Sequence, residues 1–235
     1  MKSVTLLSGG LDSTVATTAA LRDSAVVLAI TVDYRQRAVV REVNAARKIA
    51  RKLGIRHRVV KLDFLAELTT SALVDTSMRL PFLSDGELDD LRGVAEESMR
   101  QVWVPNRNGL FVQIAASFAE GLAAEQVVVG FNREEAGTFP DNSAEFLERA
   151  NSALALSTLT GVRLVSPTIG LDKQQIVRLG YELNAPLAHL WSCYAGGRRH
   201  CRSCESCLRL LRALDAAGVK ERFLEEWREA NDDGT

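Results

Sequence analysis

The chain has 235 residues, 46% of them apolar and 25% charged, with a formal net charge of -1. That length supports one large core or a core with an appendage, and the charge balance supplies no global field for nucleic acid or an anionic membrane. No apolar run approaches the roughly 20 residues of a membrane-spanning helix, and Met1-Lys2-Ser3-Val4 passes into a strand-like run without signal-peptide architecture, so a cytoplasmic protein is expected.

Val4–Leu7 reads as the first strand, followed by Ser8-Gly9-Gly10-Leu11-Asp12-Ser13 and a helix opening at Thr14. Ala25–Val32 is nearly all apolar, as a strand buried on both faces should be. Val39, Val43, Ala46, Ala50 and Leu53 form one helical stripe, with Gly54 as its stop. His57–Leu62 is the third strand. The stretch from Asp63 to Val104 is too long for a plain crossover and carries Asp85, Glu87, Asp89 and Asp90. It reads as an insertion with some helix, serving as a lid or a dimer contact, or as a solvated acidic excursion. Gly109–Ala123 is helical through Leu110, Ile114, Phe118 and Leu122, and Gln126–Gly130 and Arg163–Val165 are the last strands. From Leu171 the pattern is helical, with a helix Lys173–Leu183, then cysteine-rich, and Asn231–Thr235 is a polar tail expected to fray. Apolar runs alternating with helical stripes predict an α/β fold with a parallel sheet.

The loop Ser8–Ser13 has the makings of a phosphate cradle. Gly9 and Gly10 let backbone N–H groups approach an anion, and the helix start adds unpaired donors. Ser8 and Ser13 can donate hydroxyl hydrogen bonds. Asp12 beside polyphosphate calls for an intervening Mg²⁺ ion; otherwise it caps the helix. The loop lacks the Gly-Lys-Ser/Thr ending of a Walker motif and the third glycine of a dinucleotide fingerprint.

All four cysteines fall in one cluster, Cys193, Cys201, Cys204 and Cys207. In a reduced enzyme such spacing points to metal, and four thiolates suit a closed, structural Zn²⁺ site. An iron–sulfur cluster and unligated thiols are the competing readings. Arg198, Arg199, Arg202 and Arg209 are near enough in sequence to offset the charge of such a centre.

Ser-Gly-Gly-x-Asp-Ser after a first strand resembles the PP-loop of ATP pyrophosphatases. Further segments resemble one family within that group: Asp33-Tyr34-Arg35-Gln36-Arg37, Val104-Pro105-Asn106-Arg107-Asn108, Phe139-Pro140-Asp141 and Trp191-Ser192-Cys193-Tyr194. The chain is identified on these as a member of the 7-cyano-7-deazaguanine synthase family. The resemblance implies a Rossmann-like three-layer PP-loop fold, of the adenine nucleotide α-hydrolase type, over 1–170 and a helical zinc-binding extension over 171–235. It implies that ATP activates 7-carboxy-7-deazaguanine and that ammonia is the amine. ATP would be held by Ser8, Gly9, Gly10, Leu11, Asp12, Ser13 and Lys173, with Asp12 and Arg107 as catalytic residues. Tyr34, Gln36, Arg37, Phe139 and Asp141 would hold the base. Lys173 could equally be an exposed helix-start residue and Asp141 a helix cap.

Two departures bear on the acceptor. Arg35 and Ala38 stand where the family pattern has glycine and histidine, and Glu134-Glu135-Ala136-Gly137-Thr138-Phe139-Pro140-Asp141-Asn142 stands where many members read Asp-Tyr-Ser-Gly-Tyr-Pro-Asp-Cys. They leave open a relative that joins the same acid to another amine, such as a protein N-terminus. A zinc-knuckle nucleic-acid module would need a basic face with interleaved aromatics, and at 6% aromatic content no direct nucleic-acid contact is expected. A homodimer is the expected assembly. His57, His189 and His200 receive no catalytic role, and Phe64, Phe82, Trp103, Phe111, Phe118 and Trp227 read as core or interface residues.

Overall fold

In a computed structural model, which describes residues 1–82, 86–89 and 93–231, the five apolar runs become five strands. They are β1 (Lys2–Leu6), β2 (Ala25–Asp33), β3 (His57–Lys61), β4 (Gln126–Val128) and β5 (Arg163–Val165). All neighbours pair in parallel in the order β3-β2-β1-β4-β5. The helices are α1 (Leu11–Asp23), α2 (Val39–Lys52), α3 (Phe64–Glu67), α4 (Val94–Val102) and α5 (Arg107–Gly121). They continue with α6 (Arg133–Ala136), α7 (Ala144–Ser157), α8 (Lys173–Glu182), α9 (Glu205–Ala216) and α10 (Lys220–Asn231).

The sheet is covered on both faces, which is why the inner strand β2 reads as a nearly continuous apolar run, whereas the edge strand β3, His57–Lys61, keeps polar residues. On one side Val4, Leu28, Ile30, Val32, Val127 and Val129 meet Val112, Ala115 and Ala119 of α5 and Leu154 of α7. On the other, Leu7, Ala29 and Val128 pack with Leu11 and Val15 of α1 and Ile49 of α2. An irregularity between Ser3 and Val4 in the β1–β2 register keeps the later residues of β2 in phase with these two faces.

The C-terminal helices add no strand but are not peripheral. Ile176 and Val177 of α8, Leu210 and Leu214 of α9 and Phe223 of α10 are buried in the same cluster as α1 and α2. Residues 63–104 do contain helix, α3, α4 and a single turn at Glu87–Asp89, whereas Asp85, Asp90 and the tail 232–235 lie outside the described residues. No helix among the described residues is long and apolar enough to cross a membrane.

Strand order reverses between β1 and β4, and in open parallel sheets the ligand crevice lies beyond the strand ends at that point. Gly130, just after β4, shows how tightly the two sides meet: a Cβ there would stand 2.6 Å from the Asp12 carbonyl carbon. That distance is too short for any residue but glycine.

Candidate nucleotide and metal sites

A cavity of about 290 Å³ opens at this switch point, near the low end of the ~300–1,000 Å³ usual for ligand sites. It is lined by the segments following β1, β2 and β4, by the start of α5 and by Lys173. Ser8, Gly10, Leu11, Asp12, Ser13, Tyr34, Gln36, Arg107, Phe139 and Lys173 all line it; Gly9, Arg37 and Asp141 do not.

The phosphate loop differs from the sequence expectation in one respect. Helix α1 begins at Leu11, not Thr14, and Gly10 is its N-cap. Asp12 therefore sits inside the first turn and does not cap it. Gly9 adopts φ +85 with its α-carbon pressed toward α2, where a Cβ would lie 2.9 Å from the Glu42 carbonyl oxygen. Only glycine fits both conditions. The Ser8 and Ser13 hydroxyls lie 2.9 Å apart, and Thr14 Oγ1 donates to the Gly10 carbonyl at 2.7 Å.

Lys173 is buried and not an exposed helix-start residue. Asp172 caps α8 in a reciprocal capping box with Gln175, and this fixes the helix start that carries Lys173. Its Nζ lies 2.5 Å from both Asp12 Oδ2 and Glu135 Oε1. Burial pushes the Asp12 carboxyl up to about 6 against the pull of Lys173. Burial also opposes the charge of Glu135, but Lys173 and Arg209 hold that carboxyl below its ordinary value. Burial opposes the ammonium too, yet the two carboxylates keep Lys173 above the usual lysine range. The second Asp12 oxygen, Oδ1, is buried and has no hydrogen-bond partner among the described residues.

The opposite wall is aromatic. Tyr34 and Phe111 tilt against each other at 5.8 Å, and Arg107 stacks over Tyr34 while donating to its hydroxyl at 3.2 Å. Burial raises the Tyr34 phenol and pushes that of Tyr194 well above its ordinary value. Phe111 thus faces the cavity as well as packing beside the core. Flat aromatic walls with a few polar groups suit heterocycles.

Gln36 lines the cavity with its amide already engaged, accepting from Tyr34 N–H and donating to Val32 O and to Glu42 Oε2 at 2.7 Å. Arg37 turns away and donates to the carbonyls of Asp75 and Met78. Asp141 does not cap α7, a role taken by Ser143, and its carboxyl, raised by burial, feels the charge of Arg107. Arg35 adopts φ 64 and is exposed, which gives a physical reason for glycine at that position in the family pattern. Sequence reasoning missed Glu42 and Glu205, noted Glu134 and Glu135 only as departures, quoted Tyr194 only within the cysteine block and gave Arg209 only to the metal centre. Nothing in their spacing marks them, because they converge from α2, α6, the cysteine loop and α9.

The four cysteine sulfurs lie within 4.8 Å of one another, with Cys201 Sγ 3.9 Å from Cys207 Sγ. A tetrahedral ion held by four ~2.3 Å bonds to sulfur implies S···S edges of about 3.8 Å, so the set is the right size for such a centre. The Cys201 N–H points at Cys193 Sγ (3.3 Å) and the Cys204 N–H at Cys201 Sγ (3.2 Å), contacts that stabilise thiolates. His200 is not part of the cluster; it lies between Trp191 and Trp227, at 4.7 and 4.9 Å. Arg209 turns from the cysteines to Glu205 and Glu134.

A parallel sheet with a Gly-Gly loop at its switch point defines a PP-loop α/β protein. Among solved structures, a 4-thiouridine synthetase in complex with RNA and bound ATP shares this fold, with a TM-score of 0.50 at 20% identity over 96% of this chain and 53% of that one. The family described as queuosine biosynthesis protein QueC matches residues 2–218, and the chain belongs to it. The 7-cyano-7-deazaguanine synthase of Pelotomaculum thermopropionicum is 49% identical over 220 residues, covering 94% of this chain and 99% of the relative. That of Desulforudis audaxviator is 51% identical over 218 residues, covering 93% and 98%.

Proposed function

We propose that this chain is an ATP-dependent carbon–nitrogen ligase that converts 7-carboxy-7-deazaguanine and ammonia into 7-cyano-7-deazaguanine. The carrying observation is the 49% identity to a named synthase across nearly the full length of both chains. In the reaction, ATP activates the carboxylate as an acyl-adenylate with release of pyrophosphate. Ammonia displaces AMP to give the amide. A second ATP activates the amide oxygen, and loss of AMP leaves the nitrile.

Such chemistry needs positioning and charge stabilisation more than proton transfer. Ser8, Gly9, Gly10, Leu11 and Ser13 cradle the phosphates, and Lys173 faces the departing pyrophosphate. Arg107 and Tyr34 meet the reacting carboxylate, with Phe111 and Phe139 as walls for the base. Arg37 and Asp141 act from behind the lining, Arg37 by ordering the 75–78 turn and Asp141 through Arg107. The orphaned Asp12 Oδ1 is a fitting ligand for Mg²⁺, which would neutralise phosphate charge there. The four cysteines hold Zn²⁺ in a structural site with no open position. The division near residue 170 is one of roles: the first part carries the cradle, and the second brings Lys173 and the zinc.

The chain acts as a cytoplasmic homodimer without direct nucleic-acid contact. Exposed apolar side chains at Phe64, Leu68, Met78 and Phe82 support a self-contact there. Arg35, one of the departures that motivated a different amine acceptor, is exposed and lines no part of the cavity, which supports ammonia, whereas Ala38 and Glu135 do line it. Incubation with 7-carboxy-7-deazaguanine, ATP, Mg²⁺ and ammonium, followed by mass spectrometry, tests the assignment. Nitrile with AMP is expected; absence of AMP with this acid contradicts it.

A further inference from the structure

Between the cysteine cluster and the phosphate cradle runs a chain of buried ionic contacts. Glu205 directly follows Cys204 and precedes Cys207 at the start of α9. Its carboxylate accepts from Ser98 Oγ at 2.5 Å and from Arg209 Nε at 3.0 Å, and its side chain is 2% exposed. Arg209 reaches on to Glu134, with NH1 3.3 Å from Glu134 Oε1; Arg212 NH2 approaches the same oxygen at 3.8 Å. Glu134 Oε2 accepts the backbone N–H of Lys173 at 3.1 Å. The side chain of Lys173 then ends at Asp12 and Glu135. Glu134 is the hinge of this series, because one oxygen takes the guanidinium of α9 and the other takes the first amide of α8.

We propose that Glu134 and Arg209 are positioning residues that transmit the order of the metal knuckle to Lys173, so that metal ligation at one end sets the affinity of the phosphate cradle at the other. The idea rests on the ATP-utilising reading above. The start of α9 carries Cys204 as its N-cap and Glu205 and Cys207 in its first turn, and metal ligation by the two thiols would fix it. Arg209, one turn further along, is then held at Glu134, and Glu134 holds α8 at the height that brings Nζ to the cradle. A carboxylate is needed at position 134, since it must accept from a cation and from an amide at once.

The test is calorimetric binding of Mg²⁺·ATP without the acid, on metal-replete wild type, Glu134→Ala, Glu134→Gln, Arg209→Leu and the Glu134→Ala/Arg209→Leu double variant. Bound metal and Tm are measured on each. Loss of a partner that orients a ligand commonly costs about tenfold or more, so Glu134→Ala should weaken ATP about tenfold at unchanged metal content. Glu134→Gln, which still accepts, should fall between it and wild type. The double variant should be no weaker than Glu134→Ala, as two parts of one series require. Wild-type affinity in metal-replete Glu134→Ala, or additive losses in the double variant, would overturn the coupling. Wild-type ATP binding without turnover of the acid would instead contradict the substrate assignment and leave the coupling standing. A wild type that does not bind ATP overturns both.

Discussion

Lys173 Nζ lies 2.5 Å from Asp12 Oδ2 across 161 residues of sequence. The contact joins α8 to the phosphate loop and places one cation between two buried carboxylates, Asp12 and Glu135. Removing the cation leaves Asp12 without its ion-pair partner and Glu135 with only Arg209 and Arg107 to offset it, so Lys173→Met should destabilise the fold by about 3–5 kcal/mol. It should also lower kcat/KM for ATP by about 10²-fold. Adding Glu135→Gln should recover stability in denaturant titrations but not turnover. A Lys173→Met protein with unchanged ATP kinetics would remove the lysine from the site.

The same cluster sets a pH dependence. Because burial raises the Asp12 carboxyl from its ordinary 3.8 to about 6, the folded chain binds that proton more tightly than the unfolded one. Its contribution is therefore greatest at low pH and is lost as pH rises through about 4 to about 6, where the unfolded chain has already released the proton. Without nucleotide or Mg²⁺, wild type should lose stability relative to Asp12→Asn across that window. A difference that is flat, or that grows in wild type's favour, would contradict the burial argument. Glu135 runs oppositely: its lowered carboxyl adds stability that is present above the ordinary glutamate value and is lost as pH falls through its lowered folded value.

Arg35 offers a cleaner separation of backbone from chemistry. Its φ of 64 is strained for a side chain, and it is exposed. Arg35→Gly should therefore change stability by no more than about 1 kcal/mol, strain relief being offset by the added freedom of the unfolded chain. KM for ATP and for the acid should stay unchanged. A tenfold shift in the acid's KM would return Arg35 to the base site.

Phe223, 1% exposed, belongs to the cluster that also holds Val15 and Ile49. Phe223→Ala should cost about 3–5 kcal/mol in equilibrium unfolding. A small loss with a separate transition would mean that the C-terminal helices fold on their own.

Removing a metal ligand should cost stability. A Cys201→Ser variant should bind less than one Zn²⁺ per chain and melt at lower temperature, because ligation energy is folding energy. Full Zn²⁺ content in that variant would exclude Cys201 as a ligand.

The centre of the sheet was legible because a strand covered on both faces is apolar along its length: Val26, Leu28, Ala29, Ile30 and Val32 of β2 are all buried. The cradle and cysteines were legible because local spacing carries their chemistry. Glu134, Glu205 and Arg209 were not, since each is an ordinary charged helix residue whose role exists only once α6, α8 and α9 meet. Arg37 stands in a family-like block that suggested a base contact; one of its terminal nitrogens donates to the Asp75 and Met78 carbonyls of the 63–104 segment, and its buried Nε has no partner among the described residues.

The measurement that bears most directly on the account uses acid labelled with ¹⁸O in both carboxylate oxygens, with the AMP and nitrile products weighed by mass spectrometry. Activation first of the acid and then of the amide at oxygen predicts two AMP per nitrile, each carrying one ¹⁸O. Unlabelled AMP, or label released to water, would contradict adenylation of the substrate and with it the role given to the cavity.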